Sequence, residues 1–398
     1  MELSQAYSLL LITVAAALLP GVARLLRLPA PVLEIIFGII LGKSLFNLEL
    51  TGQWMPFLAQ LGFLVLMLHA GMEIDFKALG RQRPAQLAFQ LLVFVCTAGL
   101  ALAACLALGL GAFMALVLST TSLGLVLPIL KETGLVKTPL AQSILVAATL
   151  ADFLTLLLLT LYNSWLVNGV SWRLALPVPL FVGFGLLLWL GRLWSWWHPE
   201  AAQRLLLADD PQEQGVRFSL ALLFLFVAIS ELAGLEPVLG AFMGGCVISF
   251  VMRQKEALES KLSGLGFGFL IPIFFIHVGM QFDLGSIAGA DRLVSSLLLL
   301  LVALGVKLLP SLLYTLQGVG LRQAVQTGFL LSARLSLIVA AAAIGLEAGL
   351  LTAAQKDAIV MLALLTCFIG PTAFKLLQPS ESPPPGKQPL PQTPRTRL

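Results

Sequence analysis

Three ionisable side chains in this sequence of 398 residues stand where charge is costly. Asp152 is the only charged residue between Lys137 and Arg173, and it follows Pro139 by thirteen positions, about 20 Å along a helix rising 1.5 Å per residue. Lys307 lies fifteen residues from both Arg292 and Arg322, while Arg334 is twelve from Arg322 and thirteen from Glu347. Each is central in a long apolar run. In a bilayer an unpaired charge at such a position costs about 2.5 kcal/mol or much more, so these groups face a polar site or one another. An aspartate there can hold a proton or a cation. Lys307 and Arg334 can either pair with it or neutralise the carbonyl ends of helices, and the sequence leaves both roles open.

A second cluster is made of hydroxyls. Ser119-Thr120-Thr121-Ser122-Leu123-Gly124, with Pro128 four residues on, puts four hydroxyls and two helix-weakening residues in one span. In an unbroken helix these hydroxyls would bond back to carbonyls one turn earlier. In a broken one, Thr120, Thr121 and Ser122 would offer hard oxygens suited to Na⁺ or K⁺, with Ser119 and Ser332 supplying the backbone of two facing breaks. Ser332-Ala333-Arg334 is the second such segment. His69 and His277, each two residues before Gly-Met, read as packing or interfacial side chains. Glu34, Glu73, Asp75, Glu231 and Asp283 lie near span ends or glycines and are not expected to be ligands. Cys96, Cys105, Cys246 and Cys367 form no C-x-x-C pair, so neither a metal site nor a disulfide framework is expected, nor any cofactor.

The elements that position these groups follow from composition. With 59% hydrophobic residues, 11% charged and a mean hydropathy of +0.97, the chain has too little polar side chain to cover a soluble domain. Thirteen transmembrane helices are predicted, at about 6–23, 31–47, 56–74, 85–109, 112–131, 139–165, 174–195, 216–234, 236–252, 264–281, 293–316, 323–347 and 356–377. What remains holds no extramembrane domain, which argues against soluble enzymes, nucleic-acid binders and pumps with cytosolic motors. Of the 24 Lys and Arg residues, eighteen fall on one side of this arrangement and four on the other, leaving Lys307 and Arg334 inside spans. The imbalance predicts the N-terminus outside and the C-terminus in the cytosol. The expected location is a bacterial inner (plasma) membrane. Met1–Gln5 lacks the cationic start of a secretory signal, so the first run is kept as a helix. The Pro-rich tail 379–398 is expected to be disordered.

The chain also matches itself. Leu68-His69-Ala70-Gly71-Met72-Glu73-Ile74-Asp75 aligns with Ile276-His277-Val278-Gly279-Met280-Gln281-Phe282-Asp283. Pro31-Val32-Leu33 with Gly38 resembles Pro237-Val238-Leu239 with Gly244, Leu118-Ser119 resembles Leu331-Ser332, and Glu132-Thr133-Gly134-Leu135 resembles Glu347-Ala348-Gly349-Leu350. A shift of seven spans turns the second copy over in the membrane. The expected organisation of residues 1–378 is therefore repeat one at about 1–165, a connector helix at about 174–195 and repeat two at about 216–377. This inverted arrangement, with crossed broken helices, suits a secondary transporter.

These segments, together with Gly62–Lys77, Ala151-Asp152 and Gly234–Gly245, resemble the membrane domain of monovalent cation:proton antiporters (sodium/hydrogen exchanger-like), especially the Kef-like and NapA-like branch. The resemblance implies spans 1–3 and 8–10 as a scaffold that forms a homodimer, and spans 4–6 and 11–13 as a moving core carrying the essential aspartate, here Asp152. It implies exchange of Na⁺ or K⁺ for H⁺ by alternating access, without enzymatic activity. The residue before the aspartate departs from the family's carboxylate, Asn or Gln: it is Ala151. One titratable carboxylate suggests electroneutral exchange, unless Lys307 also releases a proton. A sodium-coupled organic-anion carrier, with Arg334 and Lys307 holding the carboxylate, and a proton-uncoupled cation channel subunit are the alternatives.

Overall fold

Proline at the start and glycine at the end set the limits of several helices. The computed structural model describes residues 2–378 except 4, 27, 47–48, 51–53, 75, 77–82, 137, 234, 252–255 and 287–289, and between 170 and 212 only 183, 186, 190, 193 and 197. The predicted connector at 174–195 lies almost wholly outside the described residues, and the tail 379–398 entirely so. The helices are α1 (Gln5–Leu26), α2 (Ala30–Leu41), α3 (Trp54–Met72), α4 (Pro84–Ala107), α5 (Gly111–Ser119), α6 (Leu123–Glu132), α7 (Pro139–Asn168), α8 (Gln214–Leu232) and α9 (Pro237–Val251). They continue as α10 (Glu256–Leu265), α11 (Ile271–Met280), α12 (Ala290–Ser311), α13 (Leu321–Ser332), α14 (Ser336–Glu347) and α15 (Ala353–Leu376). A π-helical turn, Gly266–Leu270, joins α10 to α11 and was not anticipated. Glu2–Leu3 and Glu49–Leu50 form a two-residue parallel pairing.

Among the described residues nine helices, counting α5 with α6 and α10 with α11, are long and apolar enough to cross a membrane, and the bent pair α13–α14 makes a tenth. The shorter apolar α2 and α9 complete twelve of the thirteen predicted spans. Local chemistry explains their starts. Pro31, Pro84 and Pro139 occupy first-turn positions where a missing N–H costs nothing. Thr138 caps α7 by accepting from the Ala141 N–H, and Thr352 with Gln355 forms a capping box on α15.

The self-matching segments adopt matching local structure. Gly134 (φ 71°) and Gly349 (φ 69°) both follow a helix end in the left-handed region, and the next residue's N–H returns to the helix: Leu135 to Leu130 O, Leu350 to Gly345 O. Ser119 and Ser332 each close a helix by donating to a carbonyl of the preceding turn. The helix crossings also match. α2 meets α11 with Gly38 against Gly279, and α3 meets α9 with Gly71 against Gly245; a Cβ on Gly38 would stand 2.9 Å from the Gly279 Cα, and one on Gly71 3.0 Å from the Gly245 Cα. The crossing glycine is thus Gly245 and not Gly244, which the sequence alignment had paired with Gly38; a Cβ on Gly244 would make only ordinary contacts from 3.6 Å.

Packing divides the helices into two sets. α1, α2, α3, α8, α9 and α10–α11 pack together, with the Phe63 and Phe274 rings stacked 5.0 Å apart between α3 and α11. α4 to α7 and α12 to α15 form the other set. The span made of α5 and α6 is the most enclosed, 72% buried against 17% for α1, so protein and not lipid surrounds the α5–α6 break.

Candidate functional site

The backbone leaves the helix twice near mid-span. Thr120–Ser122 separate α5 from α6, and Ala333–Leu335 separate α13 from α14, which are inclined to each other by 46°. Each break exposes carbonyls at one helix end and N–H groups at the next, and in a membrane these need partners. The side chains singled out by their position in the sequence converge on them.

Cations meet the carbonyl ends. Arg334, fully buried, donates from Nε to Ser332 O (3.1 Å), from one terminal nitrogen to Leu118 O and from the other to Ala303 O (2.8 Å). It ties the C-termini of α5 and α13 to α12. Lys307 reaches from α12 to donate to Ser119 O and Thr121 Oγ1, both at 2.7 Å. Positive charge at helix C-termini is the favourable sense of the macrodipole. Cys367 donates from Sγ to the Arg334 carbonyl at 3.2 Å and steadies the second break.

The anion meets an amide end. Asp152 Oδ2 accepts from the Leu123 N–H, the first residue of α6, at 3.1 Å. Ser122 Oγ and Ser336 Oγ lie 3.5 Å apart, so the N-termini of α6 and α14 also approach each other there. Asp152 is in neither ion pair found among the described residues, Lys261–Glu213 and Lys356–Asp357. Its Oδ1 is buried and has no hydrogen-bond partner. Aspartate and cations are thus held by opposite ends of the broken helices, and Asp152 keeps a free oxygen.

The candidate hydroxyls are all engaged. Thr120 Oγ1 donates to Val117 O (2.8 Å), Thr121 Oγ1 accepts from Lys307 and Ser122 Oγ faces Ser336. Ser119 Oγ donates to Ala115 O at 2.8 Å. Glu73, expected from the sequence only to mark a span end, lies closer to the site than that: a Cβ on Gly124 would stand 3.5 Å from Glu73 Oε1, so this side chain, just past the end of α3, reaches the first turn of α6. The signal was present, since the self-match pairs Glu73 with Gln281 and so keeps an acid in only one copy. His69 packs against the Phe267 ring (centroids 5.2 Å apart), and His277 bonds Gln281 at 2.9 Å, both away from the breaks.

Polar links join the two helix sets at the face where α7, α8 and α11 end. Asn163 of α7 donates to Glu236, which immediately precedes α9, Lys356 donates to Gln281 O (3.1 Å), and the Asp283 N–H donates to Asp357 (3.4 Å). Burial raises the Glu236 carboxyl above its ordinary pKa, Glu347 adds to this, and the Asn163 hydrogen bond opposes it. Among the described residues no cluster of three or more His, Cys, Asp or Glu is arranged to hold a metal ion.

Comparison with known proteins gives a consistent result. The family profile described as sodium/hydrogen exchanger, transmembrane, matches residues 10–377. The Bacillus subtilis protein YjbQ, named as a candidate Na⁺/H⁺ antiporter, is 33% identical over 401 residues, covering 96% of this chain; the chain spans 64% of that relative's length. GerN of Bacillus cereus, named a Na⁺/H⁺-K⁺ antiporter, is 27% identical over 94% of this chain and 96% of its own. The solved structure of the sodium proton antiporter MjNhaP1 from Methanocaldococcus jannaschii superposes with a TM-score of 0.64 at 13% identity, covering 94% of this chain and 98% of that one, a likeness of fold. With its helices, its two breaks and this match over nearly its whole length, the chain is an integral membrane protein that belongs to the sodium/hydrogen exchanger family.

Proposed function

We propose that the protein exchanges a monovalent cation, Na⁺ or K⁺, for protons by alternating access, with Asp152 binding either ion. The observation that carries this reading is the buried Asp152 carboxylate, bonded through Oδ2 to the α6 N-terminus with Oδ1 unpartnered. A bare carboxylate in a water-poor site is costly to move, whereas one neutralised by a proton or a cation crosses more easily, and that couples the two fluxes. Lys307 and Arg334 act as fixed counter-charges for the helix ends. Three bonds from Arg334 and two from Lys307 go to backbone carbonyls and Thr121, so these cations are already largely engaged within the protein, which weighs against the organic-anion carrier.

In this reading α4–α7 and α12–α15 move against the remaining helices, and the links at Asn163–Glu236 and Asp283–Asp357 open whenever the site is exposed at their face. The distribution of Lys and Arg supports that face as the outer one and a cytosolic C-terminus; the membrane in this reading is a bacterial inner (plasma) one. The matching crossings Gly38–Gly279 and Gly71–Gly245 favour two inverted repeats, about 1–165 and 216–377. The scaffold pairs with a second copy; α1 carries an apolar stripe of Tyr7, Leu10, Val14, Leu18 and Leu25 that such a partner or lipid would cover.

The test is proton flux in proteoliposomes on addition of Na⁺, K⁺, Li⁺ or Rb⁺ at clamped voltage, which also gives the charge stoichiometry. Asp152→Asn should abolish cation-driven flux. Undiminished exchange in that variant sinks the proposal, and cation flux without proton movement would indicate a channel.

A further inference from the structure

The hydroxyls at the first break each carry a hydrogen bond within the protein, whereas Asp152 Oδ1 has none, so an oxygen in the same unpartnered condition beside it is of interest. On a helix the side chains that share a face with Asp152 are at i−4, i−3, i+3 and i+4. These are Ala148, Thr149, Thr155 and Leu156. Ala148 and Leu156 carry no oxygen, and the Thr149 hydroxyl donates to Leu145 O at 2.9 Å. Thr155 differs. It is fully buried, and its Oγ1 has no hydrogen-bond partner.

Its behaviour departs from that of other threonines in these helices. Thr13, Thr97, Thr149, Thr160, Thr327 and Thr366 each donate to the carbonyl four residues back, at 2.7 to 2.9 Å. That bond is the easy way to satisfy a hydroxyl in an apolar helix, and a buried hydroxyl left without any partner is destabilising. Thr155 forgoes it one turn from a carboxylate oxygen in the same condition. A buried unsatisfied group in a native protein calls for an explanation, an ion or water among them, and here two such oxygens share one helix face.

We infer that Thr155 Oγ1 and Asp152 Oδ1 are two ligands of the transported cation, with Thr155 a specificity-determining residue. Cβ atoms three positions apart on a helix are about 5–6 Å from each other. Two side-chain oxygens converging from that spacing can each lie about 2.4 Å from one hard cation. A neutral hydroxyl binds the cation but cannot take up the proton in exchange, so Thr155 sharpens cation affinity while Asp152 alone sets proton coupling. Ala151 beside them adds no side-chain oxygen, and of the two hydroxyls on this face of α7 Thr155 is the one without a hydrogen bond.

This inference rests on the exchange reading, and the assay separates the two. In proteoliposomes Thr155→Val, which keeps the shape and removes the oxygen, should raise the KM for Na⁺ or K⁺ about tenfold, whereas Thr155→Ser should stay within about twofold of the native protein. The order among Li⁺, Na⁺, K⁺ and Rb⁺ should change in the valine variant, and the stabilisation of the purified protein by added Na⁺, read as a Tm shift, should shrink. If Thr155→Val does not fold, Thr155→Cys replaces hard oxygen with soft sulfur and should weaken Na⁺ while favouring Tl⁺. A well-folded Thr155→Val or Thr155→Cys with native KM and native cation order would overturn the inference, as it would if Oγ1 held only a structural water. Loss of exchange in Asp152→Asn alongside native Thr155 variants would remove Thr155 alone, while a native protein that exchanges nothing would remove the underlying function.

Discussion

Arg334→Met tests whether the two breaks are held by one side chain. The guanidinium makes three hydrogen bonds to backbone carbonyls, at Ser332, Leu118 and Ala303, in a fully buried position. Hydrogen bonds from a charged donor are worth about 1.5–3 kcal/mol each, so their loss amounts to about 4–9 kcal/mol before compensation. Relief from burying the charge returns several kcal/mol. A net destabilisation of about 3 kcal/mol remains, the scale seen when one partner of a buried charged network is removed. In a chain of this size that lowers Tm by about 4 °C. Arg334→Lys keeps the charge but not the fork and should lie between the two, because one ammonium cannot span carbonyls on α5, α12 and α13. The assay is thermal unfolding of purified protein by intrinsic fluorescence, paired with cation-driven proton flux, which should fall more than about tenfold if the breaks lose their geometry. An Arg334→Met protein with native Tm and native flux would refute the view that this residue holds the breaks together.

Two further outcomes are expected. Gly245→Val should prevent accumulation of folded protein, because its Cβ would drive into the Leu68 carbonyl at the α3–α9 crossing, while Gly244→Ala should be tolerated at 3.6 Å from its nearest neighbours; size-exclusion profiles of the two variants distinguish them. Glu73→Gln should raise the cation KM by roughly threefold to tenfold and leave proton coupling intact, since it removes a carboxylate beside the α6 N-terminus without touching Asp152; an unchanged KM would show that Glu73 serves packing only.

Much of this was legible in the sequence because a bilayer leaves few options. Runs of apolar residues must be helices there, so all twelve spans that fall within the described residues were found from hydropathy alone. Rarity of charge picked out Asp152, Lys307 and Arg334, and the self-matching Glu-x-Gly-Leu segments turn out to share one local structure, with Gly134 and Gly349 both left-handed after a helix end. The π-turn at Gly266–Leu270 was not legible, because a five-residue change of winding leaves hydropathy untouched. Nor was the choice of Gly245 over Gly244, which depends on the rotation of α9 against α3 and so on packing across the whole set.

The sequence by itself determined the membrane class, the spans and the identity of the charges stranded within them, since each is a property of one segment and its solvent. Only the tertiary structure decided what those charges touch. Lys307 and Arg334 could have paired with Asp152; they hold carbonyl ends instead, because the crossing of two broken helices brings opposite dipole ends to opposite groups. The same convergence engaged Thr120, Thr121 and Ser122, drew Glu73 from a distant helix to the α6 N-terminus, and left Asp152 Oδ1 and Thr155 Oγ1 without partners. Which oxygens stay free depends on how several helix ends share one small volume, and no single stretch of sequence records that.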